Sequence, residues 1–426
     1  MNDSTIVAVE TYTSKTFRQL AHVRIETADG VTGLGETFHR AEAVAAFIHD
    51  SLAPALVGQD GRQHAKLRRL VQSRFDGGNI WAGTATVDSS AASAVDIALW
   101  DLRGKVFGLP VSELLGGVNR SPIPVYNTCA GPGEGMPMPG SPRTQLHLAE
   151  PWGLGGSFGQ YDDYRAMFER PAELAEELLS EGIRAMKLYT FRPAARTTQG
   201  TYLSNAQLEE ALTPFRLIRE AVGMEMELMV DLLFDWTLAP AQRIVAGLEE
   251  YKLLWIEDPL RWGARRHHAV LQAQTTTPIA AFDYAVGLES YIDLVDKGGL
   301  SILRVDPQWV GGISEAARIA AYADSLGLGI VFHDCTGPIN FTASTHLAVN
   351  APTTIFQESV RGYWRAVYPS IVTVCPSFEN GFVAPPPGPG LGTELNEDYL
   401  GLTDLRVVRS EVEGGDLVTK LVRAPS

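Results

Sequence analysis

The sequence is poor in cysteine and has no long apolar run. Cys129, Cys335 and Cys375 are the only cysteines among 426 residues, and no two of them have CxxC spacing. This argues against a disulfide framework and against structural zinc, and it fits a reducing compartment. No apolar run approaches the ~20 residues of a membrane span, and the N-terminus lacks the basic and apolar regions of an export signal. We therefore expect a cytoplasmic protein without a membrane partner.

The chain also has a deficit of basic residues. Its formal net charge is −15, which opposes non-specific binding to nucleic acid, since such binding depends on basic patches. A small anionic substrate is still compatible with this charge, because locally placed cations or a bound divalent ion can receive a carboxylate.

Length and patterning predict two domains, an N-terminal α+β domain over residues 1–121 and a β/α barrel over 122–370. Alternating polar and apolar positions predict an antiparallel meander at 4–12, 20–27 and 31–36, and helical spacing follows at 40–57, 63–74 and 89–108. We expect the last segment, 371–426, to leave the barrel and pack back on the N-terminal domain.

Eight β-rich runs alternate with helical segments in the second region, which is the number that a closed barrel of parallel strands requires. The runs are PIPVYNT (122–128), IRAMKLY (183–189), EMELMVD (225–231), LLWIED (253–258), PIAAFD (278–283), SILRVD (301–306), GIVFHD (329–334) and TTIFQE (353–358). After the first run, residues 127–168 are rich in glycine and proline, which predicts a lid-like loop. Arg143, His147 and Trp152 could touch substrate from it, but a solvated excursion or an oligomer contact is an equally good interpretation.

Three acidic residues close consecutive apolar runs at intervals of 26 residues: Asp231, Glu257 and Asp283. That interval is about one β/α unit, so the three carboxylates should converge at the C-terminal ends of their strands. Like charges in a low-dielectric cleft either protonate or share a cation. The spacing therefore predicts a divalent metal site, and we expect Mg²⁺.

Further candidate residues close the other strands. Lys187 and Tyr189 are two residues apart and face one side. Asp306 precedes His333 by one β/α unit, and such a carboxylate can orient an imidazole and raise its basicity. Glu358 closes the last strand, where it could bond a substrate carboxylate if protonated or a hydroxyl if ionised. For Tyr189, a packing role is as plausible as acid catalysis.

Together these residues resemble the enolase superfamily, mandelate racemase subgroup. The resemblance rests on WIEDP at 255–259, the strand-end acids, Lys187-Leu188-Tyr189, Asp306 with His333, and the helix ASAVDIALWDLRGKVFGLPVSELLGG at 92–117. It covers nearly the whole chain and implies a modified (β/α)₇β barrel, an α/β fold, with an α+β capping domain. It also implies a homo-oligomer.

The resemblance implies a role for each residue: Asp231, Glu257 and Asp283 as Mg²⁺ ligands, Lys187 beside the substrate carboxylate, Asp306 and His333 as the general-base dyad, and Glu358 facing an enediolate oxygen. The subgroup commonly has a second lysine where Tyr189 stands and a glutamate where Asp283 stands. An aspartate third ligand is more typical of the muconate-lactonizing branch, but that branch has a lysine base in place of Asp306 and lacks the His333 dyad.

Because phenol titrates near ~10, Tyr189 is a poor base at neutral pH, and chemistry on one face is favoured over racemisation. The predicted function is therefore a Mg²⁺-dependent acid sugar dehydratase, a carbon–oxygen lyase. It would take the proton α to the carboxylate of an aldonate or aldarate and release water to give a 2-keto-3-deoxy acid. The alternatives are a racemase or epimerase of an α-substituted carboxylic acid and a non-catalytic ligand-binding barrel.

Overall fold

The N-terminal region is an antiparallel sheet covered by helices. The computed structural model describes residues 3–73, 86–131, 159–264 and 266–425, so Arg143, His147 and Trp152 lie outside the described residues. The elements are β1 (Ile6–Thr13), β2 (Leu20–Thr27), β3 (Thr32–Phe38), α1 (Ala41–Phe47), α2 (Ala53–Leu56), α3 (His64–Gln72), α4 (Val87–Phe107) and α5 (Val111–Leu114). A π-helical turn at Ile48–Leu52 joins α1 to α2.

Helix α4 packs directly on β3. It begins at a capping box formed by Thr86 and Ser89 and ends at Gly108, whose φ is 71°. Gly35 of β3 faces this helix, and a Cβ there would lie 2.0 Å from the carbonyl oxygen of Ala94. Only glycine therefore permits the close approach of helix and strand that seals the core of this domain.

The second region is a closed barrel of eight parallel strands. They are β4 (Ile123–Thr128), β5 (Ala185–Leu188), β6 (Glu227–Asp231), β7 (Trp255–Glu257), β8 (Ile279–Ala281), β9 (Ile302–Val305), β10 (Gly329–Phe332) and β11 (Thr354–Ser359). The barrel closes because β11 pairs with β4, with Gln357 opposite Val125. All eight predicted strands are present, and the predicted fold class, a capped barrel, is confirmed.

Helices connect the barrel strands. They are α6 (Asp163–Glu169), α7 (Pro171–Ser180), α8 (Arg192–Thr198), α9 (Asn205–Val222), α10 (Leu238–Leu248), α11 (Arg266–Gln272), α12 (Leu288–Gly298), α13 (Pro307–Val310), α14 (Gly312–Leu326) and α15 (Pro338–Asn350). None of the helices in the described ranges is both long enough and apolar enough to cross a membrane.

The barrel interior is built in layers by the two-residue period of the strands. The lower layer is apolar or aromatic and consists of Tyr126, Ala185, Met229, Trp255, Ala280, Ile302 and Val331. Two residues further along their strands, toward the C-terminal ends, lie Thr128, Lys187, Asp231, Glu257, Arg304 and His333, all buried. The same alternation that fills the barrel with side chains thus gathers polar groups at its C-terminal face.

The tail contacts both regions. A hairpin of β12 (Ser377–Glu379) and β13 (Phe382–Ala384) stays on the barrel, since β13 pairs antiparallel with β4. After α16 (Glu397–Leu400), the strands β14 (Arg406–Glu413) and β15 (Asp416–Arg423) return to the N-terminal sheet. There β14 pairs with β1, with Glu411 opposite Ala8.

Candidate active site

A cavity of about 360 Å³ opens at the C-terminal ends of the barrel strands. Four of the predicted site residues line it: Tyr189, Asp231, Asp283 and His333. The other four, Lys187, Glu257, Asp306 and Glu358, are at most 1% exposed and lie at or near the C-terminal ends of barrel strands. A cavity of about 410 Å³ on the outside of the barrel, lined by residues such as His267 and Asp293, contains none of these groups.

Carboxylates from two adjacent strands form a compact acidic group. Oxygens of Asp231, Glu257 and Asp258 lie within 4.8 Å of one another. Burial raises the pKa of Glu257 to about 7, although Arg304 and Lys187 act to lower it. Burial, followed by the neighbouring carboxylates, raises the pKa of Asp258 well above its usual range. These shifts are the electrostatic signature of crowded acids, which a divalent cation would relieve.

Asp283 lies near the imidazole of His333. Its Oδ2 is 3.3 Å from His333 Nε2 and 3.6 Å from the Arg304 guanidinium. Its Oδ1 is buried and has no hydrogen-bond partner. An unpartnered buried carboxylate oxygen is costly unless a further ligand meets it. The assignment of Asp283 as the third metal ligand stays a prediction.

Two buried cations, Lys187 and Arg304, contact the acidic residues. Lys187 Nζ donates to Glu257 Oε1 at 2.5 Å and is 2.8 Å from Glu358 Oε1. Arg304 donates to Glu257 Oε2 at 2.6 Å and to Glu358 Oε2 at 2.7 Å. Burial acts to raise the pKa of Glu358, but these two cations outweigh it and hold the pKa well below its usual value. Glu358 is therefore ionised, and the interpretation in which it is protonated is disfavoured.

His333 and Asp306 form the predicted dyad. His333 Nδ1 donates to Asp306 Oδ2 at 2.5 Å, and the same carboxylate accepts the Gln308 side-chain amide at 3.1 Å. Burial acts to lower the pKa of His333, but Asp283, Glu358 and Asp306 outweigh it and raise it to about 9. The pairing of Nδ1 leaves Nε2 directed toward the cavity, the arrangement of an oriented general base.

Aromatic side chains from both domains surround the imidazole. The Trp309 ring lies 5.2 Å from His333 and stacks on His39 of the capping domain, with ring centroids 5.6 Å apart. Tyr284 also stacks on Trp309, with ring centroids 4.2 Å apart, and lies 6.3 Å from the His39 ring. His39 itself has a φ of 79°, a rare conformation for a non-glycine residue and one that is common at functional sites.

Several site residues escaped the sequence analysis. Arg304 lies inside an apolar strand. Its position two residues before Asp306 could have identified it, because side chains two residues apart on a strand point to the same face. Asp258 directly follows Glu257 in WIEDP and was overlooked beside it. Cys335 lines the cavity, with its sulfur 3.6 Å from Glu358 Oε1. No sequence signal marks His39, because its contact with the barrel depends on domain packing.

Comparisons with known proteins agree with this architecture. Residues 4–116 match the mandelate racemase / muconate lactonizing enzyme N-terminal domain, and residues 170–399 match the enolase C-terminal domain-like family. The chain is 29% identical to a D-mannonate dehydratase of Caulobacter vibrioides, over 89% of this chain and 90% of that protein. It is 28% identical to a D-galactonate dehydratase of Cronobacter sakazakii, over 89% of each chain.

A solved structure has the same fold. An enolase of the mandelate racemase subgroup from Agrobacterium tumefaciens superposes with a TM-score of 0.81 at 34% identity, over 96% of this chain and 99% of that one. Both domain models, the closed barrel and this similarity agree. The chain therefore belongs to the enolase superfamily, mandelate racemase subgroup.

Proposed function

We propose that this protein is a Mg²⁺-dependent acid sugar dehydratase that converts an aldonate or aldarate into a 2-keto-3-deoxy acid. The observation that carries the proposal is the imidazole of His333, oriented by Asp306 and directed into a cavity whose other side is acidic. The dehydratase names of two relatives support the same reaction class.

The donor set fits Mg²⁺. Asp231, Glu257 and either Asp283 or Asp258 would supply hard carboxylate oxygens, which this ion prefers, and Asp283 Oδ1 is buried without a hydrogen-bond partner. When bound, Mg²⁺ would supply positive charge beside the substrate carboxylate and offset the charge of Asp283 beside His333.

The chain's own residues account for the proton transfers. His333 takes the α proton at Nε2 while Asp306 holds the imidazolium in place. The electron pair left on the α carbon delocalises into the substrate carboxylate, and Lys187 adds positive charge near it. His333 then returns the proton to the departing β-hydroxyl, the C–O bond breaks, and water leaves. Tautomerisation of the resulting enol gives the keto acid.

The test is a library of aldonates and aldarates, incubated with enzyme and Mg²⁺ in D₂O. We expect a 2-keto acid, detected with semicarbazide, from wild type and from the exposed-surface control His267→Asn, and none from His333→Asn or in the presence of a chelator. Deuterium at the α carbon of an unchanged skeleton would instead identify a racemase or epimerase. No exchange with any acid would favour the non-catalytic barrel.

A further inference from the structure

A second set of metal-ligating side chains lies in the cavity, apart from the acidic group that would hold Mg²⁺. His333, Cys335 and Glu358 each offer one ligand atom, and these three atoms lie within 4.8 Å of one another. All three residues are buried, and His333 and Cys335 also line the cavity. The cluster therefore combines a nitrogen, a sulfur and an oxygen ligand at a point that the cavity reaches.

The loop after β10 carries two of these ligands and is tied to the third. Strand β10 ends at Phe332, so His333 and Cys335 lie on either side of Asp334 at the start of this loop. The backbone N–H of Asp334 donates to Glu358 Oε2 at 3.1 Å, and its carboxylate accepts the Tyr368 hydroxyl at 3.0 Å. Such contacts hold a group of ligands in place before an ion arrives.

The distances within the cluster fit a tetrahedral ion. Cys335 Sγ is 3.6 Å from Glu358 Oε1, and His333 Nε2 is 3.9 Å from Glu358 Oε2. Zinc bonds of ~2.3 Å to sulfur and ~2.0–2.2 Å to oxygen, at a tetrahedral angle, place the two ligand atoms about 3.5 Å apart. The corresponding nitrogen–oxygen separation is about 3.4 Å. A small movement of the imidazole toward Glu358 would therefore complete the set.

The ligand types distinguish this cluster from the acidic group. Mg²⁺ prefers oxygen ligands alone, whereas thiolate and imidazole select zinc and similar ions. Nearby charges act in both directions: Asp283 Oδ2 is 3.3 Å from His333 Nε2, and Lys187 and Arg304 contact Glu358 at 2.8 Å and 2.7 Å. The sulfur and the nitrogen, rather than the net charge, therefore decide which ion this cluster prefers.

We propose that His333, Cys335 and Glu358 form a second, inhibitory metal site that binds Zn²⁺. Binding would replace the thiol proton of Cys335 and leave a fourth position for water, as in zinc sites with three protein ligands. The ion would also occupy Nε2 of His333, so the imidazole could not take the α proton. The inhibitory role rests on the proposed function, whereas the metal binding does not.

Cobalt binding tests the site without turnover. Co²⁺ accepts the same ligands as Zn²⁺, and a thiolate bound to it gives a charge-transfer band in the near ultraviolet. The full-length protein is saturated with Mg²⁺ and titrated with Co²⁺. We expect one further ion per chain with this band in wild type and in the control Cys375→Ser, whose cysteine does not line the cavity. Cys335→Ser should lack the band. A wild type without the band, or a Cys335→Ser protein that keeps it, would overturn the inference.

A histidine variant makes the test independent of the folding of Cys335→Ser. In the same titration, His333→Asn should weaken Co²⁺ binding by more than about tenfold, since losing even an outer partner of a metal ligand costs ~10–100-fold. His267→Asn, which changes an exposed histidine, is the matched control and should bind as wild type does. Equal affinity in His333→Asn and His267→Asn would exclude the imidazole as a ligand and overturn the site.

Inhibition by zinc tests the functional role. In excess Mg²⁺, Zn²⁺ should inhibit dehydration, and Cys335→Ser, compared with its own activity without zinc, should need about 10–100-fold more Zn²⁺ for half inhibition. Equal sensitivity would place the effect of zinc at the Mg²⁺ site and overturn the inhibitory role. Failure of wild type to dehydrate any acid would refute the proposed function, while the cobalt titration would still decide whether the second site exists.

Discussion

The buried guanidinium of Arg304 provides a sharp test of the charge network below the active site. It is fully buried and donates to Glu257, Glu358 and the Tyr126 hydroxyl, each at 2.6 to 2.7 Å. Arg304→Met keeps an unbranched apolar stem but takes from two buried carboxylates a cation that donates to both at 2.6 to 2.7 Å. Breaking a buried ion pair by removing one partner costs about 3–5 kcal/mol.

For a chain of this size that loss corresponds to a fall in Tm on the order of 3–6 °C, measured by scanning calorimetry in a chelator so that metal binding does not contribute. Arg216→Met is the control, since its guanidinium is 52% exposed and pairs only with Glu220 among the ion pairs of the described residues. Exposed substitutions of this kind usually change stability by less than ~0.5 kcal/mol.

The double variant Arg304→Met/Glu358→Gln sharpens the test. It removes one of the carboxylates that the single variant leaves uncompensated, so its loss of stability should be smaller than the sum of the two single losses. If Arg304→Met unfolds within 1 °C of Arg216→Met, or if the two single losses simply add, the charge network does not stabilise the fold.

Three further predictions concern the dyad, a buried histidine and the cavity wall. Asp306→Asn should lower kcat by ~10²–10⁴-fold, because it removes the negative charge that orients His333 and stabilises its imidazolium. NMR of the metal-free variant should find the His333 pKa below about 9. Burial lowers the pKa of His346 to about 4, whereas an unfolded histidine titrates near ~6.5. Because the unfolded state therefore binds a proton that the folded state does not, the free energy of unfolding should fall by about 3 kcal/mol as the pH drops from 6.5 to 4. Urea titrations of His346→Gln at both pH values should lack this loss. Gly200→Ala should lower the free energy of unfolding by about 1–3 kcal/mol more than Gly327→Ala does. Both glycines have a φ near +65°, but only at Gly200 would a Cβ lie 1.8 Å from a backbone atom, the carbonyl oxygen of Asp235. Equal losses would contradict close packing of Gly200, just after α8, against that carbonyl.

The sequence was sufficient for the barrel and for the residues at its strand ends. Eight short apolar runs separated by helices leave few alternatives, and a regular interval between strand-end acids reflects the repeat of the β/α unit itself. Asp231, Glu257, Asp306 and His333 could be found because each closes such a run.

What could not be predicted depends on packing between distant segments. Arg304 lies within an apolar strand, and its ion pairs with Glu257 and Glu358 depend on two other strands of the closed barrel. The position of Arg192 on the cavity wall depends on how a short helix seats against a loop, and that of His39 on how the capping domain meets the barrel. Neither contact leaves a periodic signal in the chain.

The proposed chemistry depends on one divalent ion bound among the strand-end carboxylates, across the cavity from His333. The most direct measurement is anomalous diffraction from crystals grown with Mn²⁺ in place of Mg²⁺. We predict a single strong peak within bonding distance of Asp231, Glu257 and a carboxylate of Asp283 or Asp258, with Nε2 of His333 facing it across open space. A peak away from these oxygens, or a His333 ring bound to the metal, would contradict the account.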